Sequence, residues 1–131
     1  MPATLLAFLV VGAGGAAGAM ARFGLTMATL RYSTSIPVGT LASNLLGCLI
    51  MGGLVEMLGR AGVGGDLISQ HQRLLFGIGF CGAFTTLSAL VLEVTTMVQR
   101  QDTGLAFGYL VATLIGGFVF FLAGTAMVRA I

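Results

Sequence analysis

Four stretches of this 131-residue chain carry no charged side chain: Ala3–Ala21, Ser33–Val55, Leu74–Leu92 and Thr103–Val128. A bilayer core takes about 20 helical residues to cross, and each run is near or above that length. Within hydrocarbon every backbone N–H and C=O needs a partner inside the protein, so the runs are expected as helices. The expected fold class is an all-α integral membrane protein, one transmembrane domain over residues 1–131, with helices at about 3–30, 37–58, 72–98 and 103–129. Composition agrees: 57% of residues are hydrophobic and 8% charged, against about 25% charged in soluble domains. The first run lacks a basic leader and ends at Arg22 without a clear cleavage site, so it is expected to stay as a membrane helix.

The third run is the unusual one. Residues 79–93, Gly-Phe-Cys-Gly-Ala-Phe-Thr-Thr-Leu-Ser-Ala-Leu-Val-Leu-Glu, place two glycines, Thr85, Thr86, Ser88 and Glu93 in or at the edge of a span. Such a cluster predicts a helix broken in mid-membrane. A break survives there only where it is buried in protein or lines a polar cavity. Its freed carbonyls can hold a cation, and its freed N–H groups and hydroxyls can face an anion.

The other helices each show one small or polar face. Gly14, Gly18 and Arg22 recur every four residues. Thr40, Asn44, Gly47 and Met51 share a face of the second helix, with Ser43 beside them. Tyr109, Thr113, Gly116 or Gly117, Phe120 and Gly124 do so in the fourth. Small residues at this spacing let helix backbones approach closely in a membrane. The second connection, Gly59–Arg73, is the longest and most polar, and a short helical turn is expected from Asp66.

The arginines are balanced. With the N-terminus inside, Arg60, Arg73 and Arg129 fall inside and Arg22, Arg31 and Arg100 outside, three against three. Orientation normally follows an excess of Lys and Arg on the cytoplasmic side. Without one, copies are expected to insert both ways and to pair as an antiparallel, dual-topology dimer.

Several chemistries are excluded. No His/Cys/carboxylate cluster has metal-ligand spacing and no nucleophile–base pair is visible, so an enzyme is not expected. His71 reads as a solvated loop residue, and Cys48 and Cys81 as packed thiols. The glycines at 12–18 lie within a span with no preceding strand, which rules out a dinucleotide fingerprint. The net charge of +2 is too small and scattered for nucleic acid. Four polar features remain. Asn44 can donate to an anion or tie two helices together. Arg22 can snorkel or attract anions, Glu93 can cap, pair with an Arg or border a pathway, and the Thr85–Ser88 cluster marks the break.

Together these residues resemble the Fluc (CrcB) fluoride channels. The likeness runs through Gly14, Gly18 and Arg22, then Gly39-Thr40, Asn44-Leu45 and Gly47, then 79–93, then Thr113, Gly116, Gly124 and Arg129. The resemblance implies a dual-topology homodimer with two fluoride pores, in the cell inner membrane, exporting F⁻ passively. It implies Asn44, Thr86, Leu87, Ser88, Leu90, Glu93, Arg22 and Thr113 along the fluoride pathway. It also implies a structural Na⁺ on the dimer axis, held by the backbone carbonyls of Gly82 and Thr85. The expected partners are fluoride ion, a second copy in opposite orientation, and lipid.

The chain departs from the family pattern at Leu87 and Leu90, where the family carries phenylalanines, and at Gly117, often Ser. A ring edge carries partial positive charge, and an aliphatic side chain does not. Ser88, Thr86 and Asn44 are therefore expected to contribute more. Two other readings stand beside the channel. A small dual-topology exporter of cations would need a carboxylate in the first helix, and none is there. A noncatalytic membrane scaffold would be indifferent to changes at Asn44 or Ser88.

Overall fold

The computed structural model describes residues 2–60 and 67–131, and the elements it defines are all helical. Helix α1 covers Ala3–Thr29 and tightens into a 3-10 turn at Leu30–Tyr32. Helix α2 covers Val38–Arg60. The third rod, α3, is continuous but changes pitch: an α-turn at Leu67–Gln72, a wide π-helical stretch at Arg73–Cys81, and a last turn at Gly82–Phe84. Helix α4 is Leu87–Gln99 and α5 is Thr103–Arg129. Among the described residues, four segments are long and apolar enough to cross a membrane: Ala3–Tyr32, Val38–Arg60, Gln70–Gln99 and Thr103–Arg129. The expected helix start at Asp66 lies outside the described residues.

Glycine governs how the helices meet. A methyl added at Gly14 would strike the Leu75 carbonyl, and one at Gly18 the Phe80 carbonyl. From the other side, a methyl at Gly79 would sit 2.6 Å from the Val11 oxygen. Helices α1 and α3 are thus in backbone contact along the Gly14/Gly18 face. A second pair forms the same way: Gly52 of α2 faces the Phe121 carbonyl, and Gly124 of α5 faces that of Leu49. Thr125 adds a hydroxyl bond to the Gly52 oxygen (3.3 Å). Without a hydrophobic drive between helices in lipid, such close packing is what holds them. Helix α4 lies against α5 through Leu90, Met97, Ala106 and Tyr109, the buried apolar cluster.

Local signals set the ends. Ser33 accepts the Val38 N–H (3.1 Å), while the Pro37 carbonyl takes the Leu41 N–H (3.1 Å), so α2 starts capped. Helix α4 closes with paired bonds, Gln101 N–H to Val98 O and Asp102 N–H to Met97 O, both 3.0 Å. That closure puts Gln101 at φ 67°, a left-handed position usually given to glycine. At the opposite border Glu56 accepts from Arg129 of α5 (3.0 Å) and pairs with Arg60 one turn on (3.4 Å). Cys48 and Cys81 are free thiols, the latter fully buried.

Candidate functional site

The break falls between α3 and α4, at two extended residues. Thr85 has φ −87° and ψ 156°, Thr86 φ −151° and ψ 117°. Thr85 stays attached to the rod behind it, since its N–H and its hydroxyl both donate to the Cys81 carbonyl (3.0 and 2.9 Å). Its methyl sits where a side chain at Gly47 would be, so α2 can approach. Thr86 opens the next helix. Its hydroxyl oxygen accepts the Ala89 N–H (3.2 Å) as an N-cap and lies 3.2 Å from the Ser88 hydroxyl.

Asn44 joins the two halves. Its side-chain oxygen accepts the Thr86 N–H (2.7 Å), and its side-chain nitrogen donates to the Thr86 carbonyl (3.2 Å). An amide here does what a neighbouring strand would do for one residue. Of the two expected uses of Asn44, the geometry shows the tie, since one amide hydrogen joins α2 to the break and the second is left over.

The carbonyls at the end of α3 have distinct fates. In a continuous helix Gly82 O would take the Thr86 N–H, but that N–H goes to Asn44. Thr85 O would take the Ala89 N–H, which goes to the Thr86 hydroxyl. Ala83 O is met from α1 by the Arg22 guanidinium (3.2 Å). Gly82 is exposed, with open space on its Cβ side. Two carbonyls without their helical donors, at the negative end of a helix, fit a hard cation. Among the described residues no group of His, Cys, Asp and Glu could hold a metal instead. The start of α4 has the opposite polarity and favours an anion.

On that side lies an open groove of about 470 Å³ between α2, α4 and α5. Asn44, Thr86, Leu87, Leu90 and Thr113 all line it, whereas Ser88 does not and only touches the Thr86 hydroxyl. Leu87 is 71% exposed, whereas Leu90 is 2% exposed and forms the inner edge. Two further expected pathway residues lie elsewhere. Arg22 sits at the end of α3. Glu93 lies between α2 and α5, one oxygen accepting from Thr40 (2.6 Å) and the other from Tyr109 (2.7 Å).

Cys48, Phe118 and Phe121 also line the groove and were not singled out from sequence. The signal was present, since Thr113, Gly117 and Phe121 recur every four residues, but Phe120 competed for the same face.

Four apolar spans, one interrupted beside a polar-lipped groove, define a polytopic membrane protein with an ion-pathway architecture. Residues 9–125 match the family described as CrcB-like protein, Camphor Resistance (CrcB), and the chain belongs to that family. It is 37% identical over 123 residues to a "Fluoride-specific ion channel FluC" of Prosthecochloris aestuarii, covering 94% of this chain and 93% of that one. A protein of the same name from Phenylobacterium zucineum is 41% identical over 126 residues, covering 95% and 97%. Another from Francisella tularensis subsp. mediasiatica is 36% identical over 126 residues, covering 96% and 97%.

Proposed function

We propose that this protein is a fluoride-selective channel that lets F⁻ leave the cytoplasm down its electrochemical gradient, across the cell inner membrane. Two copies in opposite orientation would form a homodimer with two pores. The observation that carries the reading is the interrupted span, whose Thr86 backbone is clamped by Asn44 beside an open groove. The fluoride-channel name of the relatives supports the choice of ion.

F⁻ is small and strongly hydrated, so its water can be removed only where donors replace it. The spare Asn44 amide hydrogen and the Thr86–Ser88 hydroxyl pair supply such donors at the groove. A row of weak sites lets an ion enter and still leave. The Thr113 hydroxyl donates to Tyr109 O (2.8 Å), so Thr113 contributes shape and an acceptor. Arg22 completes the end of α3 and adds positive potential behind the break. Glu93, fixed by Thr40 and Tyr109, is proposed to border the pathway midway along α4.

Gly82 and Thr85 carbonyls from both copies are proposed to hold a structural Na⁺, which would supply a fixed positive charge joining the two broken helices. The lost helical donors at both positions support this. The balanced arginines support dual topology.

The test is F⁻ efflux from liposomes carrying purified protein in Na⁺ buffer, with Cl⁻ as control. Flux of F⁻ well above Cl⁻ is expected. Well-folded protein that passes no F⁻ would sink the channel reading.

A further inference from the structure

We infer that Phe118 and Phe121 of α5 are specificity-determining residues of the anion path, supplying from α5 the aromatic edges that α4 lacks. The inference rests on the channel reading above and assigns a part of that same groove.

The argument is an inventory of positive groups. An anion stripped of water needs hydrogens or positive edges around it. Most polar hydrogens at the groove are already committed. The Thr85 hydroxyl donates to Cys81 O and the Thr113 hydroxyl to Tyr109 O. The Thr86 N–H is held by Asn44, and one Asn44 amide hydrogen is held by Thr86 O. Among side chains, what remains is one amide hydrogen and one hydroxyl hydrogen of the Thr86–Ser88 pair, with the weak Cys48 thiol, and the first backbone N–H groups of α4 add to them. These lie on α2 and at the start of α4. From its side chains α4 contributes Leu87 and Leu90, which offer neither donors nor a quadrupole.

The opposite wall, α5, presents two rings. Phe118 and Phe121 are three residues apart, on the face that also carries Leu114 and Gly117 toward the groove. Phe118 is 75% exposed in the single subunit, so its ring is free to turn an edge inward. Gly117 lets α5 approach α2 closely, with the Cys48 sulfur 3.3 Å from where a methyl would be. Aromatic edges carry partial positive charge, which a desolvated anion can use without a committed donor.

The experiment compares liposome F⁻ and Cl⁻ efflux for wild type, Phe118→Leu, Phe121→Leu, the double variant and Phe107→Leu. Phe107 is an exposed phenylalanine of the same helix that does not line the groove. The double variant is expected to lose F⁻ flux about tenfold or more, since two edge contacts together amount to roughly that factor in rate. Phe107→Leu should match wild type. Adding Leu87→Phe to the double variant returns a ring to the groove from the α4 side and should restore much of the flux. If Phe121→Leu destabilises the fold, Phe118→Leu alone still reports, because its exposed ring leaves no cavity. Full F⁻ flux in a folded double variant, or an equal loss in Phe107→Leu, would overturn the inference while leaving the channel intact. No F⁻ flux in wild type would overturn the channel reading and this one with it.

Discussion

The Asn44 side chain brackets the Thr86 peptide, accepting its N–H at 2.7 Å and donating to its carbonyl at 3.2 Å, across 42 residues of sequence. Asn44→Leu keeps the volume and removes both bonds. An unsatisfied buried polar group costs about 1–3 kcal/mol, so the two together should lower stability by roughly 2–5 kcal/mol. Thermal unfolding in detergent would measure it. Asn44→Asp keeps the acceptor for the Thr86 N–H but loses the amide hydrogens. It should retain more of the fold than Asn44→Leu and pass less F⁻ than wild type.

The α1–α3 contact is set by missing side chains. Gly18→Ala puts a methyl into the Phe80 backbone, which cannot rotate away as a side chain can. Forcing extra volume into a packed contact costs about 1–3 kcal/mol or more. Gly12→Ala meets nothing within 4 Å. It should be neutral or gain about 0.5–1 kcal/mol from lower chain entropy. Comparing the two melting temperatures separates close approach from helix propensity.

Gln101 sits at φ 67° in the turn between α4 and α5. The left-handed conformation costs an L-residue about 1 kcal/mol that glycine avoids. Gln101→Gly should therefore raise the melting temperature slightly and leave ion flux unchanged. A drop in stability would mean that the Gln101 side chain makes a compensating contact.

Glu93 ties three helices together through two hydroxyls, Thr40 of α2 and Tyr109 of α5. Tyr109→Phe and Thr40→Val each remove one bond to the carboxyl group. A hydrogen bond contributes about 0.5–1.5 kcal/mol net. Because both donors serve one carboxyl group, the double variant should be non-additive. Additive losses in unfolding experiments would show that the two oxygens act independently.

Much of the fold could be read from the chain because membrane helices announce themselves by length. The Gly14/Gly18/Arg22 face was legible too, since spacing by four has one geometric meaning on a helix, and all three meet α3. The break was legible as a region but not as a bond pattern. Which of its residues turn extended depends on Asn44, and no local signal links positions 42 apart. The same holds for Arg22, whose partner is a carbonyl 61 residues away. Backbone acceptors leave no trace in side-chain identity. The π-helical widening of Arg73–Cys81 was also hidden, because its apolar sequence suits either pitch. Phe118 and Phe121 were overlooked because clustered phenylalanines at 118, 120 and 121 give no spacing that marks one face of the helix.

The Asn44 clamp also bears on how the protein assembles. The Thr86 backbone and the Ala83 carbonyl find their partners within one chain, from α2 and α1. Each copy can therefore complete its own kink on insertion, while still alone among lipids. In the proposed dimer a second copy would dock without breaking these bonds, and only the Gly82 and Thr85 carbonyls would still await a partner. Helices that insert first and associate later follow this order.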